Sequence, residues 1–328
     1  MTRFPRESAS LAGRRIVVTG ASGFVGGHLV RQLVHEGAQV GALSRARTEG
    51  LLGEWSRRCT FIACDLRQRE RTRRVLREFA PEVLFHFASH PDGREAVGQA
   101  YRAIQVNLVG TLNALEAFRS CGGKVFLYGD SCKVYGDARV PYRETLALGP
   151  NSSYAITKAA AWHLCELYGR LHGLTVISLR PTLIYGPGQS GNIIDFVITN
   201  LLDGASEIRL DGGEQTRDPL FIDDAVEAFL MAARLGTALH GRVVNLGGGR
   251  EISVRELAVM IAELMGARAA IVSCPDQARP TELWRSTCDN TEATALLGWT
   301  PKTLLRQGLE RTIAYVTASR ARRLRTGS

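Results

Sequence analysis

The sequence predicts an α/β fold in which a doubly wound parallel sheet carries a smaller, interleaved C-terminal lobe. Two observations predict it. Short apolar, β-branched runs alternate with amphipathic segments along the first 180 residues, and a glycine-rich turn joins the first run to the first amphipathic segment. A chain of 328 residues is also long enough for a sizeable core and a smaller lobe.

The elements follow one another in a strand–helix alternation. Residues 14–19 form a β-branched run that ends at Gly20, and apolar residues at helical spacing occupy 24–36. Further strands are predicted at 38–43, 61–66, 82–88, 124–129 and 175–181. An arginine-rich helix is predicted to end at Phe79. Two further helices are predicted over 95–120 and over 152–172. Such alternation is typical of a parallel sheet covered on both faces.

The pattern loosens after Pro181, where loop-like glycine-rich stretches surround a helix. A strand at 242–247 and a helix at 253–265 follow. We therefore expect residues 1–180 to form a dinucleotide-binding domain to which 218–250 return. Residues 181–217 and 251–318 would form the smaller lobe, and 319–328 a basic tail.

Composition excludes several functional classes. No run of 18 apolar residues and no signal segment is present, so we expect a cytoplasmic protein that does not contact a membrane. The seven cysteines lack metal-ligand spacing, which predicts reduced thiols and no metal site. The net charge of +9 comes without interleaved aromatic residues, so no nucleic-acid partner is expected.

Lysine is rare in this chain. Of 41 cationic residues only four are lysines, and they are Lys124, Lys133, Lys158 and Lys302. Lysine can lose its proton when desolvated, whereas arginine effectively cannot. A lysine here therefore marks a place where an amine is wanted.

The turn Gly20-Ala21-Ser22-Gly23-Phe24-Val25-Gly26 lies between the first strand and the first helix. Glycines let a backbone approach a pyrophosphate, and a helix N-terminus adds N–H donors and a positive dipole. We expect this turn to bind a dinucleotide.

The second strand ends at Ser44-Arg45-Ala46-Arg47, without a carboxylate to bind the adenosine ribose hydroxyls. Arginines suit a 2′-phosphate, so Arg45 and Arg47 favour NADP over NAD as the cofactor. They equally fit the general excess of arginine.

Tyr154 and Lys158 are four residues apart near the start of a predicted helix and so share one helix face. A nearby ammonium, together with a positively charged nicotinamide, would favour the phenolate and lower the tyrosine pKa. The pair would then supply a general base for a sugar hydroxyl.

With these residues the chain resembles the extended short-chain dehydrogenase/reductase family, in its nucleotide-sugar epimerase/dehydratase branch, from about Arg15 to about Glu310. This resemblance implies a Rossmann fold. The motifs that carry it are TGASGFVG (19–26), CDL (64–66), FHFAS (85–89), NLVGTLNALEA (107–117), SCKVYGD (131–137), YAITK (154–158), LRPTLIYGPGQ (179–189), GGEQTRDPLFIDD (212–224) and LGW (297–299).

The resemblance implies roles for further residues. Lys158 would bridge the nicotinamide ribose and tune Tyr154, and Ser131 would bind the hydroxyl to be oxidised. The remaining cofactor contacts would be Asp65, Leu66, Ala88, Ser89, Asn107, Pro181 and Leu183. The remaining substrate contacts would be His90, Asn192, Arg217 and Arg279, with the two arginines on the diphosphate. The family also implies a homodimer through helices 95–120 and 152–172.

The triplet Ser131-Cys132-Lys133 decides the expected reaction. In dehydratases of the branch the third position takes the C5 proton, and simple 4-epimerases resemble Ser-Ala-Thr there. Lys133 thus favours a dehydratase acting through oxidation at C4, with Cys132 as a weak acid or a small filler. An epimerase, a decarboxylase, a ketosugar reductase and a non-catalytic dinucleotide binder remain alternatives. Asp130 and Leu183 depart from the usual serine and asparagine.

Overall fold

The computed structural model describes residues 10–46, 57–91 and 95–326. The strands are β1 (Arg15–Thr19), β2 (Gln39–Ser44), β3 (Thr60–Ala63), β4 (Val83–His86), β5 (Val125–Gly129), β6 (Thr175–Pro181), β7 (Leu183–Tyr185), β8 (Glu207–Asp211), β9 (Thr216–Arg217), β10 (Pro219–Phe221), β11 (Val243–Leu246), β12 (Ile252–Ser253) and β13 (Ala270–Cys274).

The helices are α1 (Phe24–His35), α2 (Arg69–Phe79), α3 (Gln99–Ala103), α4 (Gly110–Ser120), α5 (Ser153–His172), α6 (Ile193–Leu202), α7 (Ile222–Leu235), α8 (Val254–Leu264), α9 (Thr291–Leu297) and α10 (Leu305–Thr326). A π-helical turn, Ile104–Val109, joins α3 to α4.

A seven-stranded sheet in the order β11-β6-β5-β4-β1-β2-β3 forms the centre of the molecule. All of its neighbouring strands run parallel. Successive side chains of a strand point to opposite faces of the sheet, and in β4, β5 and β6 the residues on both faces are buried. Ile16 and Val18 pack in the cluster that includes α1 and α7, whereas Val17 packs in the cluster that includes α2, α4 and α5. The predicted doubly wound sheet is confirmed.

The chain leaves the central sheet after β6 and returns to it at β11, which pairs with β6. In between and afterwards it forms small sheets, of which β8 and β13 make a parallel pair. Helices α6 and α8 contact each other, and α10 contacts both. The triplet at 131–133 follows β5 directly.

Two predicted segments differ from the structure. The helix expected over 95–120 is interrupted by the π-helical turn, which apolar spacing does not reveal because it changes the backbone bonding and not the residue types. Residues 319–326, expected in a basic tail, continue α10, where Arg320 forms an ion pair with Asp203.

Candidate active site

The glycine turn at the end of β1 has the geometry of an anion site. Gly20 adopts a φ of +69°, and a Cβ there would lie 2.8 Å from the backbone nitrogen of Ala88. A Cβ on Gly26 would lie 2.2 Å from the Gly20 carbonyl oxygen. Gly23 caps α1 without a side-chain hydrogen bond, and no acidic residue occupies the first turn. The Ala21 and Gly23 N–H groups already donate to carbonyls, so the N–H groups that fit a pyrophosphate are those of the first turn of α1.

The predicted adenosine end of the site lies at the ends of β2 and β3. Ser44 is the last residue of β2 and donates a hydrogen bond to the Ala46 carbonyl at 2.6 Å, and Arg45 is exposed. Asp65 pairs with Arg67 at 2.6 Å, and hydrogen bonds from that guanidinium lower the pKa of Asp65. An adenine contact would have to share this carboxylate with Arg67. Arg47 lies outside the described residues.

The loop after β4 and the π-helical turn are tied together by one buried amide. Asn107 Oδ1 accepts from the His90 backbone N–H at 2.6 Å, and Asn107 Nδ2 donates to Thr157 Oγ1 at 3.0 Å. The Ala88 N–H donates to Thr19 Oγ1 at 3.1 Å. These bonds hold the half-buried Ala88 and Ser89 against α5. Asn107 thus acts on the predicted cofactor wall by positioning this loop.

Helix α5 presents Tyr154 and Lys158 as predicted. Its start is fixed by Ser152, whose hydroxyl accepts from the Ala155 N–H at 3.2 Å. Lys158 is only 3% exposed, its ammonium donates to the Gly129 carbonyl, and it lies 4.4 Å from the centre of the Tyr128 ring. Desolvation lowers the pKa of Lys158 to about 8, although Asp130 opposes the shift.

In this structure the pKa of Tyr154 is raised, so the lowering expected from an ammonium together with a charged nicotinamide stays a prediction. Burial raises the pKa, the negative charge of Asp130 raises it further, and only the hydrogen bond with Ser131 lowers it. The Lys158 ammonium, which was expected to lower this pKa, is directed to the Gly129 carbonyl. Tyr154 is therefore a neutral phenol that hydrogen-bonds Ser131.

A buried ion pair beneath these residues was missed by the motif analysis. Arg180 Nε donates to Asp130 Oδ2 at 2.7 Å, with side chains 3% and 0% exposed. Ser178 and the Ser131 N–H also donate to Asp130, both at 2.9 Å. Arg180 Nη1 also donates a hydrogen bond to the Tyr135 hydroxyl at 3.0 Å. No sequence motif signals this pair, because it depends on the register of β5 and β6, in which Gly129 pairs with Leu179 and the following residues lie side by side.

The triplet after β5 forms a turn of 3-10 helix, Cys132–Tyr135, capped by Ser131. The ammonium of Lys133 lies 5.8 Å from the centre of the Tyr154 ring. The side chain is accessible to solvent, yet surrounding protein lowers its pKa by desolvation, and the cation of Arg217 adds to the effect. The structure thus brings Ser131, Lys133 and Tyr154 together. A lysine with a lowered pKa can serve as a base.

The two arginines predicted to contact the diphosphate differ in their surroundings. Arg217 is engaged by Glu282 and by the carbonyls of Thr216 and Leu283, at 2.7 and 2.9 Å, although it is near enough to affect Lys133. Arg279 is exposed and also lowers the Lys133 pKa.

His90 and Asn192 differ in what they can still offer a ligand. The ring of His90 is hydrogen-bonded to Gln99 at 2.7 Å, so its Nε2 is already used. Asn192 caps α6 by accepting from the Asp195 N–H at 2.9 Å, while its buried Nδ2 has no hydrogen-bond partner among the described residues. A free buried donor at a helix N-terminus fits an anionic group. Pro181 and Leu183 lie where β6 ends and β7 begins.

Comparison with known proteins agrees with the resemblance. Residues 16–247 match the model of the NAD dependent epimerase/dehydratase family. The chain belongs to this family. It is 34% identical to a UDP-glucose 4-epimerase of Mycolicibacterium smegmatis, over 92% of this chain and 98% of that protein. It is 29% identical to a dTDP-glucose 4,6-dehydratase of Neisseria meningitidis, over 92% and 93%.

Solved structures of the family have a fold similar to that of this chain. The solved complex of a Thermus thermophilus UDP-glucose 4-epimerase with NAD superposes with a TM-score of 0.83 at 29% identity, covering 93% of this chain and 99% of that one. Within the described ranges, no helix is long and apolar enough to cross a membrane. The same residues contain no cluster of three or more metal-ligating side chains.

Proposed function

We propose that this enzyme is an NAD-dependent nucleotide-sugar dehydratase, which oxidises the hexose at C4 and eliminates water across C5 and C6. The observation that carries the proposal is the position of Lys133, 5.8 Å from the centre of the Tyr154 ring, with a lowered pKa. A 4-ketone acidifies the neighbouring C5–H, and an amine in this place can accept that proton. A plain 4-epimerase has no need of such a base.

In this account the residues of the chain divide the proton transfers. Tyr154 accepts the proton of the C4 hydroxyl, which Ser131 helps to hold. Lys133 then takes the C5 proton, and the C6 hydroxyl leaves as water with a proton from the Cys132 thiol or from solvent. The bound nicotinamide supplies the reversible hydride acceptor, and its positive charge would favour the Tyr154 phenolate. Lys133 would then return a proton to C5, and the hydride taken from C4 would be returned to C6, so that the net change is loss of one water.

The cofactor and substrate contacts follow the same logic. The turn from Gly20 to Gly26 would hold the pyrophosphate of the dinucleotide, and Lys158 its nicotinamide ribose. We infer NAD as the cofactor because the relative of known structure is a complex with NAD. The preference for NADP drawn from Arg45 and Arg47 gains no support from the comparisons. Asn192, Arg217 and Arg279 would receive the diphosphate of the nucleotide sugar.

A second candidate is a nucleotide-sugar 4-epimerase. It is favoured by the 34% identity with a UDP-glucose 4-epimerase, higher than the 29% with the dehydratase. In that case Tyr154 and Ser131 keep their roles, and Lys133 only contributes positive charge near the diphosphate. The two reactions differ in mass, which makes them separable in one assay.

The test is mass spectrometry of UDP-, dTDP-, GDP- and CDP-hexoses after incubation with the purified protein in deuterated water. A product that has lost one water and gained deuterium at C5 supports the dehydratase. An isomer of unchanged mass contradicts it and supports the epimerase. If no substrate changes, but a 4-ketosugar nucleotide is reduced when NADPH is added, the proposal is replaced by a reductase.

A further inference from the structure

Two cysteines meet in the wall beside the catalytic triplet. Cys132 lies between Ser131 and Lys133 and is 3% exposed, and Cys288, more than 150 residues later, is 6% exposed. Both belong to one small buried cluster with Tyr135 and Tyr142. The two thiols are near enough for each to shift the pKa of the other, and Cys132 Sγ lies 3.6 Å from the Ser286 hydroxyl oxygen. No role in the proposed reaction requires Cys288.

The backbone around the pair holds the two segments together. The Tyr142 N–H donates to the Thr287 carbonyl at 2.8 Å, and the Asp289 N–H donates to the Tyr142 carbonyl at 2.9 Å. The Cys288 N–H donates to Asp218 Oδ2 at 3.2 Å. Tyr142 also reaches the Gly136 carbonyl with its hydroxyl at 2.8 Å, which links it to the turn that carries Cys132. These bonds hold the segment that carries Cys288 beside the turn that carries Cys132.

The surroundings lower the pKa of the Cys132 thiol. The hydrogen bond from Cys288 is the main influence that lowers the pKa of Cys132, and the Ser286 hydroxyl and the Lys133 ammonium act in the same direction against desolvation. The pKa of Cys288 is raised by burial and by its neighbour. Such a division into one nucleophilic thiol and one protonated partner is typical of reactive dithiols. Elsewhere, Cys64 and Cys121 hydrogen-bond oxygen atoms.

We propose that Cys132 and Cys288 form a reversible disulfide that turns off the candidate active site. Cys132 thiolate attacks a low-molecular-weight disulfide such as oxidised glutathione and releases one small thiol. Cys288 then loses its proton and attacks the Cys132 sulfur of the mixed disulfide, which releases the second small thiol. The protein pair loses two electrons and two protons, and the small disulfide gains them.

The disulfide would act on catalysis through position. An S–S bond is about 2.05 Å long, which is shorter than any non-bonded approach of two sulfurs, so the two sulfurs must move toward each other. Cys132 is flanked by Ser131 and Lys133, so this movement displaces both from Tyr154. A misplacement of about 1 Å can cost about a hundredfold in rate. We therefore expect turnover to fall at least about tenfold on oxidation and to recover on reduction.

The site is tested without any substrate. The full-length protein is treated with oxidised glutathione, its remaining thiols are alkylated, and the peptides are analysed by mass spectrometry. We expect two of the seven cysteines to escape alkylation and to appear as one Cys132–Cys288 cross-linked peptide that dithiothreitol abolishes. If both cysteines remain fully alkylated, or pair with other cysteines instead, the proposal is overturned.

Matched variants link the bond to turnover. Cys288→Ser should keep its activity and become insensitive to oxidised glutathione, whereas Cys121→Ser, on α4, should cross-link and lose activity like the wild type. If the cross-linked protein turns over as fast as the protein with free thiols, the proposed switch is overturned. The cross-link is read independently of activity, so a wrong assignment of the sugar chemistry would not be mistaken for a failure of the thiol pair.

Discussion

Tyr154 is surrounded by groups that oppose its ionisation. Burial and the carboxylate of Asp130 raise its pKa, and the Lys158 ammonium is occupied by the Gly129 carbonyl. A base that is neutral in the free protein becomes active only when a positive charge arrives beside it. In our account that charge belongs to the oxidised nicotinamide, so proton removal is tied to the presence of the hydride acceptor.

The first prediction concerns this hydroxyl. Tyr154→Phe should bind the cofactor with unchanged affinity, because no cofactor contact is removed except one hydroxyl. Oxidation of the sugar should slow by about 10²–10⁴-fold, the usual contribution of a positioned general base. Cofactor binding is measured by calorimetry and oxidation by single-turnover absorbance of the reduced nicotinamide. Turnover within a few-fold of the wild type would remove Tyr154 from the role of base.

The elements around the site are joined by polar groups that lie inside the core. The buried pair of Asp130 and Arg180 connects the ends of β5 and β6. The ring of His86 on β4 connects to Thr19 on β1 at 3.0 Å and to Thr111 on α4 at 2.9 Å. These contacts fix the strand ends from which the turn at 131–135 and the loop at 88–90 begin.

The second prediction concerns the ion pair. Asp130→Asn leaves a buried guanidinium without its counter-ion, which should destabilise the protein by about 3–5 kcal/mol. Asp223→Asn breaks an exposed pair with Arg311 and should cost less than about 1 kcal/mol. Urea denaturation of the two variants measures the difference. Equal losses would mean that the pair beneath the site is not electrostatically important.

The third prediction concerns His86, whose pKa is lowered to about 3 by burial and by the charge of Lys158. Between pH 6.5 and 3 the unfolded chain binds a proton that the folded protein does not bind. The free energy of unfolding therefore falls as the pH drops through this range, by up to about 1.4 kcal/mol per pH unit. His86→Gln should remove this part of the slope in urea titrations.

The control for that experiment is His163→Gln, on an exposed face of α5. It should keep the wild-type slope. If His86→Gln and the wild type lose stability in parallel as the pH falls, the histidine is protonated without cost and our account of its burial is wrong.

The sequence predicted those features that depend on residues close together along the chain. The strands from β1 to β6, the glycine turn and the Tyr154–Lys158 face follow from spacing and residue type. The π-helical turn did not, because its residues are as apolar as those of an ordinary helix. The pair of Asp130 and Arg180, and that of Cys132 and Cys288, join residues distant along the chain, so only the fold brings them together.

At the scale of the molecule, one face stands out by its apolar side chains. Tyr101 is 68% exposed, Ile104 43%, Ile156 53% and Leu171 66%, and they lie on α3, the π-helical turn and α5. Exposed apolar side chains on neighbouring helices are typical of a protein interface. They lie on the helices through which the family resemblance implies a homodimer.

The fourth prediction follows from this face. The wild type should be a dimer in light scattering coupled to size-exclusion chromatography. The double variant Tyr101→Glu with Ile156→Glu should be monomeric, because it places charges inside a desolvated contact. Leu304→Glu, at an exposed position before α10, should remain dimeric. A monomeric wild type, or a dimeric double variant, would contradict the interface.

The central claim is that Lys133 takes the C5 proton after the sugar is oxidised, and one measurement tests it most directly. Lys133→Ala is mixed with cofactor and nucleotide sugar in deuterated water, with Lys124→Ala as the control, while reduced nicotinamide and product mass are followed. We predict that Lys133→Ala accumulates reduced nicotinamide and a 4-ketosugar without losing water or gaining deuterium at C5. Product formed by Lys133→Ala at the wild-type rate would contradict the account.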